Sequence, residues 1–376
     1  MTTHSSAKPA IVVPPPPAHR ALRCGVVGVG RMGQHHARVY HNLTDTTLVG
    51  VVDQNKDRRE AIAEKFNCKA FATVEELLAA GVDVVSVAVP TTHHRAQAEP
   101  LLKSGVACLI EKPLAGSAEE ARQIKDVAER SGALLMVGHI ERFNPIMRAL
   151  QRQTRNGQEV IPRFIEVHRV SPMTFRSVDT SVVMDMMIHD LDVVIMLMGG
   201  REPDDIQASG VPVITQHEDV CNARLTWRTP HGVCVASIST SRLALKTERV
   251  TRITGENAYV KIDYASKKGI VIRRTANEAQ MIEVRKALRD GEDLTNLKWA
   301  ELVNIEELSV DDEEPIVAEI QSFLQAVRTG SRPEIDATAG LANVRTAERI
   351  VEAARAERTW TWPGSGEGAG AAGSHP

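Results

Sequence analysis

The chain has 376 residues, with 45 Lys+Arg against 48 Asp+Glu, a formal net charge of −3 at pH 7. At roughly 100–200 residues per domain this length predicts two domains, and a 43% hydrophobic share supplies two cores and excludes wholesale disorder. The near-neutral balance gives no electrostatic reason to bind nucleic acid or a membrane surface, and no apolar run approaches the ~20 residues of a membrane-spanning helix.

In chain order, residues 1–20 hold Pro9 and Pro14 to Pro17 and read as a disordered tail. From Leu22 strands and helices alternate. LRCGVVG is a strand, and a helix follows from Arg31 to about Asn42. LVGVVD (48–53) is a second strand, followed by a helix through residue 66 and a short helix TVEELLAA. VDVVSVAV (82–89) and VACLIE (106–111) are further strands. SAEEARQIKDVAER (117–130) is a helix opened by a Ser117/Glu120 capping box, and ALLMVG (133–138) is the last strand. β-branched strands alternating with amphipathic helices predict an α/β domain, a doubly wound parallel sheet, over 21–145.

The pattern changes after about 160. An apolar helix VVMDMMIHDLDVVIMLMG precedes alternating stretches NARLTWRT, VCVASISTS and RVTRITG, and two helices close the region near 315–329 and 337–357. This predicts an α+β domain with a largely antiparallel, open-faced sheet over 146–362. Residues 363–376, rich in Gly, Ala and Ser, read as a second disordered tail. Five scattered cysteines (Cys24, Cys68, Cys108, Cys221 and Cys234) contain no C-x-x-C pair, which argues against a disulfide scaffold or zinc cluster and for a reducing cytoplasm.

Gly28-Val29-Gly30-Arg31-Met32-Gly33 is a G-x-G-x-x-G between the first strand and the first helix. The first glycine allows the tight turn, the second admits a pyrophosphate, and the third lets helix and strand pack closely, with the helix N-terminus facing the phosphates. Asp53 ends the second strand, twenty residues after Gly33, where a carboxylate accepts hydrogen bonds from ribose hydroxyls and repels a 2′-phosphate. Gln54 adds no compensating charge, so NAD is expected over NADP, with Lys56, Arg58 and Arg59 nearby working the other way.

With these motifs, the Pro90-Thr91-Thr92-His93-His94 stretch, Glu111-Lys112-Pro113, Asp185-x-x-x-His189 and the closing PIVAEIQSFLQAVRTGSRPEIDATAGLANVRTAERIVEAA, the sequence resembles the Gfo/Idh/MocA oxidoreductases from about 21 to 358. Many relatives carry Gly-Gly before the aspartate; Val182-Val183 stands here. GHIERFNP (138–145), RVSPMTFR (169–176) and MDMMIHDLD are similar to the UDP-N-acetylglucosamine 3-dehydrogenase subgroup. The resemblance implies oxidation of a sugar hydroxyl by NAD, the 3-hydroxyl of a UDP-N-acetylhexosamine giving a 3-keto sugar. It also implies that Pro90, Thr91, His94, Glu111 and Lys112 lie on the cofactor side, and that the chain forms a homodimer or homotetramer.

Alcohol oxidation needs a base for the hydroxyl proton and a group to hold the alkoxide-like oxygen. Lys112 follows a strand C-terminus, on the crevice side of an α/β sheet. Asp185, His189 and Asp192 stand at i, i+4 and i+7, within a ~60° arc of an ideal helix. The expected catalytic set is Lys112 on the oxygen, His189 as base and Asp185 fixing its imidazole, with lysine and histidine both open as the proton acceptor; Asp192 reads as structural. Arg142, Arg169 and Arg176 are candidates for a substrate diphosphate, with salt bridges as the alternative. The paired histidines His35-His36 and His93-His94 lack metal-ligand spacing, and no metal is expected. An inositol or simple-hexose dehydrogenase, or a regulator without chemistry, are the rival functions.

Overall fold

Apolar strands separated by amphipathic helices have one economical arrangement, a parallel sheet buried on both faces. The computed structural model, which describes residues 20–155, 159–175, 178–293 and 302–356, has this arrangement in its first half. β1 (Leu22–Val27), α1 (Arg31–Asn42), β2 (Thr46–Val52), α2 (Lys56–Lys65), β3 (Lys69–Phe71), α3 (Val74–Ala79), β4 (Val84–Val87), α4 (His94–Lys103), β5 (Ala107–Glu111), α5 (Ala118–Ser131), β6 (Leu135–Gly138) and α6 (Pro145–Arg155) follow in order. The six strands form one parallel sheet in the order β3-β2-β1-β4-β5-β6. Strand order reverses between β1 and β4, and in such sheets the crevice outside the strand C-termini at that point takes the ligand. Ser117 caps α5 as expected, its Oγ accepting from Glu120 N at 3.2 Å, and Gly132 ends that helix with φ of +72°.

The second sheet is built from β7 (Pro162–Val170), β8 (Asp205–Val211), β9 (Val220–Thr229), β10 (Gly232–Ser241), β11 (Glu248–Gly255), β12 (Ala258–Asp263), β13 (Lys268–Arg274) and β14 (Val303–Glu307). Its order is β14-β13-β12-β11-β7-β10-β9-β8, and only the β7/β10 pairing is parallel. Cys221, Ala223, Leu225 and Trp227 on β9 are buried while the alternate residues Asn222, Arg224 and Arg228 are exposed, so this strand presents one covered and one accessible face. The helices of this half are α7 (Ile188–Leu197), α8 (Glu278–Arg289), α9 (Pro315–Thr329) and α10 (Ala337–Ala356).

The chain packs as two compact units. The first comprises the chain through Arg152, Leu191–Glu202 and Val310–Thr346; the second comprises Gln153–Asp190, Pro203–Ser309 and the chain from Ala347. In the first unit α9 packs on α1, and Val137 N donates to Ile335 O at 2.9 Å, with Met136 bridging Asp336, so the β6 edge is covered. The expected tails lie outside the described residues except Arg20, whose guanidinium pairs with both carboxylate oxygens of Asp83 at 2.8 and 2.7 Å. No helix among the described residues is long and apolar enough to cross a membrane.

The expected continuous α-helix over 182–199 is interrupted. Val183–Met187 forms a π-helical turn ahead of α7, and Asp185 lies within that turn. The wider turn alters the angular spacing, so the arc calculated for Asp185, His189 and Asp192 on an ideal helix does not describe this segment.

Candidate active site

The glycine loop meets its steric requirements in the first unit. Gly28 has φ of +85°, and a Cβ on it would lie 2.8 Å from both Ala88 O and Val89 N. A Cβ on Gly33 would lie 1.8 Å from Gly28 O, whereas a Cβ on Gly30 would meet nothing within 4 Å. Gly30 therefore borders open space at the start of α1, whose first turn has no side-chain cap. That space belongs to a crevice of about 800 Å³ bordered by Gly28, Gly30, Arg31, Met32, Asp53 and Pro90. Backbone N–H groups at an uncapped helix start, facing a gap left by a missing side chain, suit a pyrophosphate.

Asp53 is fixed at the rim. Its Oδ2 accepts from Val29 N at 3.0 Å and its Oδ1 from Asn55 N at 2.9 Å. Arg58 also borders the crevice, 3.5 Å from Asp53 Oδ2, while Arg59 donates to the carbonyls of Asp53 and Gln54. Of the three nearby cations, Arg58 is thus placed to meet a 2′-phosphate, and Asp53 occupies it. The residues present fit NAD: the loop from Gly28 to Gly33 and the start of α1 would hold the diphosphate, and Asp53 a ribose.

Two residues expected on the cofactor side face elsewhere. His94 is buried, its Nδ1 3.0 Å from Pro113 O and its Nε2 3.0 Å from Val89 O, so its ring links the chain after β4 to the chain after β5. Burial lowers its pKa, against the pull of those carbonyls. The neighbouring His93 borders the crevice instead. Glu111 is also buried and accepts from His36 Nε2 at 2.9 Å. Both side chains fasten strand ends inside the unit through these contacts. Thr91 opens a 3₁₀ turn directly after Pro90.

Lys112 follows β5 and is half-buried, its N–H donating to Glu111 Oε2 at 3.3 Å. Asp185 and His189, both half-buried, belong to the second unit, where Asp185 N donates to Ser181 O at 3.1 Å.

The diphosphate arginines require a correction. Arg142 donates to Asp192 through Nε at 2.6 Å and Nη2 at 2.5 Å, within the first unit. Arg169 donates to Asp190 through Nε at 2.6 Å and Nη2 at 3.0 Å, within the second. All four side chains are buried, at 8% exposure or less. Each guanidinium fork is satisfied by a carboxylate that could not be buried alone. Neither arginine is offered to a ligand, and Asp192 is structural as read. Arg176 lies outside the described residues.

The sequence reading missed His139 and Glu319. His139, directly after β6, is buried, and among the described residues neither ring nitrogen has a hydrogen-bond partner. Burial lowers its pKa; Asp192 pulls it up, while Arg142 and Lys112 add to the lowering. Glu319 is completely buried on α9, and neither carboxyl oxygen has a partner among the described residues. The signal for Glu319 was legible: it sits on the stripe of Ile316, Ile320 and Phe323, where a core residue belongs.

The family model described as "Oxidoreductase family, NAD-binding Rossmann fold" (Gfo/Idh/MocA) matches residues 22–139, and its C-terminal alpha/beta domain matches 175–361. The first unit thus carries an NAD-binding Rossmann fold. The chain is 34% identical over 319 residues to UDP-N-acetylglucosamine 3-dehydrogenase of Acidithiobacillus ferrooxidans, covering 85% of this chain and 93% of that one. A solved structure of that enzyme superposes with a TM-score of 0.77 at 32% identity, covering 89% and 98%. An inositol 2-dehydrogenase of Rhizobium meliloti is 30% identical over 197 residues, covering 51% of this chain and 59% of that one.

Proposed function

From a chain that belongs to the Gfo/Idh/MocA oxidoreductase family, we propose an NAD-dependent sugar dehydrogenase that oxidises the 3-hydroxyl of a UDP-linked N-acetylhexosamine to a 3-keto sugar. The observation carrying the choice of substrate is the likeness to the Acidithiobacillus enzyme, which extends through both halves of the chain at 34% identity. The crevice and the open space before Gly30 support the use of NAD.

NAD, when bound, accepts the hydride from the sugar carbon. In our reading the Lys112 ammonium holds the reacting hydroxyl oxygen and stabilises the negative charge that develops on it as the proton leaves. His189 takes the hydroxyl proton and Asp185 fixes the imidazole, with Lys112 the other candidate acceptor. The functional division follows the sequence: NAD binding in 21–145, substrate binding and assembly in 146–362. A homodimer or homotetramer acting in the cytoplasm completes the proposal.

One observation favours a second reading. Arg142 and Arg169 are committed to Asp192 and Asp190, so they provide no clamp for a diphosphate, and an inositol or simple hexose needs none. The deciding experiment offers UDP-N-acetylglucosamine, UDP-N-acetylgalactosamine, myo-inositol and glucose with NAD, following absorbance of the reduced nicotinamide. Turnover of a UDP-sugar supports the proposal. Turnover of inositol or glucose alone replaces it, and NAD binding without turnover of any of them favours a regulator. Light scattering at micromolar concentration tests assembly, and a monomer refutes it.

A further inference from the structure

Behind Lys112, the first unit encloses a polar cluster in an apolar core. The Tyr40 hydroxyl lies 2.8 Å from Ser86 Oγ, Ser86 Oγ lies 3.0 Å from His36 Nδ1, and His36 Nε2 lies 2.9 Å from Glu111 Oε1. The other Glu111 oxygen accepts from Lys112 N at 3.3 Å. A neutral imidazole satisfies this row. Tyr40 donates to Ser86, Ser86 donates to Nδ1 of a neutral imidazole, and Nε2–H donates to an ionised Glu111.

Glu319 stands outside the row. One of its carboxyl oxygens lies within 4.8 Å of ligand atoms of both His36 and Glu111, and it has no hydrogen-bond partner among the described residues. Two carboxylates this close in a buried site cannot both carry charge cheaply; such pairs share one proton. His36 and Tyr40 on α1, Glu111 on β5 and Asp192 on α7 lie about it, and Arg142, on the turn that α9 also packs against, is spent on Asp192. Burial first, then the charges of Glu111 and Asp192, push the Glu319 pKa well above the usual carboxylate range. For Glu111 burial also raises the pKa, but the hydrogen bond from His36 and the charge of Lys112 outweigh it and lower the pKa.

We propose that Glu319 is a positioning residue for the reaction: it carries a buried proton beside the Glu111 carboxylate, so that a single negative charge stands behind Lys112. This rests on the reading of Lys112 given above. Glu111 precedes Lys112 in the chain and bonds its N–H, so the charge on Glu111 is part of the field at the lysine. A second charge on Glu319 would add to that field and make the ammonium harder to deprotonate.

The same three residues have the composition of a metal site, but the 2.9 Å contact from His36 Nε2 to Glu111 is a hydrogen bond that occupies the imidazole edge a metal would need. A proton satisfies Glu319 without breaking that bond.

Glutamine has nearly the shape of a neutral carboxylic acid, so Glu319→Gln is the diagnostic variant. Infrared spectra at neutral pH read the carbonyl stretch of protonated carboxyl groups, and the wild-type band should be lost in Glu319→Gln. With substrate, the alkaline limb of the kcat/KM profile, set by loss of the Lys112 ammonium, should move to lower pH in this variant, because the second charge that would hold the proton on the lysine can no longer form. Glu319→Ala should lose turnover that Glu319→Gln restores. A wild-type spectrum without the band overturns the proposal, even if the variant fails to fold. So does a stoichiometric divalent metal in the purified protein that Glu319→Gln loses. A lost band with an unmoved alkaline limb overturns the link to Lys112. If no sugar is oxidised, the reading of Lys112 fails while the infrared result still decides where the proton lies.

Discussion

Arg142→Ala should destabilise the first unit by about 3–5 kcal/mol, the usual loss when one member of a buried ion pair is removed. The structure supports the upper half of that range. Asp192 is 1% exposed on its side chain, and its two oxygens take hydrogen bonds of 2.5 and 2.6 Å from the same guanidinium. Asp192 also raises the Glu319 pKa, so removing its counter-charge adds negative potential to a region that already holds two acids. Against a total stability of about 5–15 kcal/mol, this is roughly a quarter or more of what a typical domain has. Urea unfolding measures it as a lower midpoint with an unchanged slope. Arg142→Met combined with Asp192→Leu removes both charges and should recover most of the loss, since apolar pairs often replace buried ion pairs at little cost. A change below about 1 kcal/mol for Arg142→Ala, the scale of an exposed pair, would refute the argument. If the variant instead kept its midpoint and bound a nucleotide sugar more weakly, Arg142 would be a ligand residue after all.

Gly33→Ala should lower the melting temperature because its Cβ would meet Gly28 O at 1.8 Å; Gly30→Ala, with nothing within 4 Å, should melt normally but bind NAD more weakly by calorimetry. Titrating NAD and NADP into the protein should show tighter binding of NAD. Asp53→Ser should narrow that gap by removing the carboxylate and releasing Arg58, and tighter NADP binding to the unmodified protein would contradict the role given to Asp53. Lys112→Ala and His189→Ala should each slow single-turnover hydride transfer by roughly 10²–10⁴-fold with little change in NAD affinity, and near-normal rates in both would move the chemistry elsewhere.

The parallel sheet was legible because its strands are apolar on both faces and its helices periodic, so local pattern and tertiary environment agree. β3 was missed because its three residues sit at a sheet edge with little burial, which leaves no pattern to detect. The glycine loop and Asp53 were legible because backbone geometry admits few substitutes there. The partners of Arg142 and Arg169 were not, since an arginine that binds a phosphate and one that binds a carboxylate carry the same letter. Their separations of 50 and 21 residues hide the pairing from any local reading. The π turn at Val183–Met187 was hidden for another reason: its residues favour a helix of either pitch, and the register is decided by packing.

The interleaving of the two units has a consequence during synthesis. When Arg152 leaves the ribosome every strand of the parallel sheet exists, yet α9, which supplies Glu319 and packs on α1, begins only at Pro315. At about 5–20 residues per second, roughly 10–30 s pass before α9 emerges. Through that interval α1 lacks the cover of α9, and Val137 N on the β6 edge waits for Ile335. A nascent chain stalled before residue 315 should therefore be a good chaperone client and a poor NAD binder, and one extended past Thr346 should be neither.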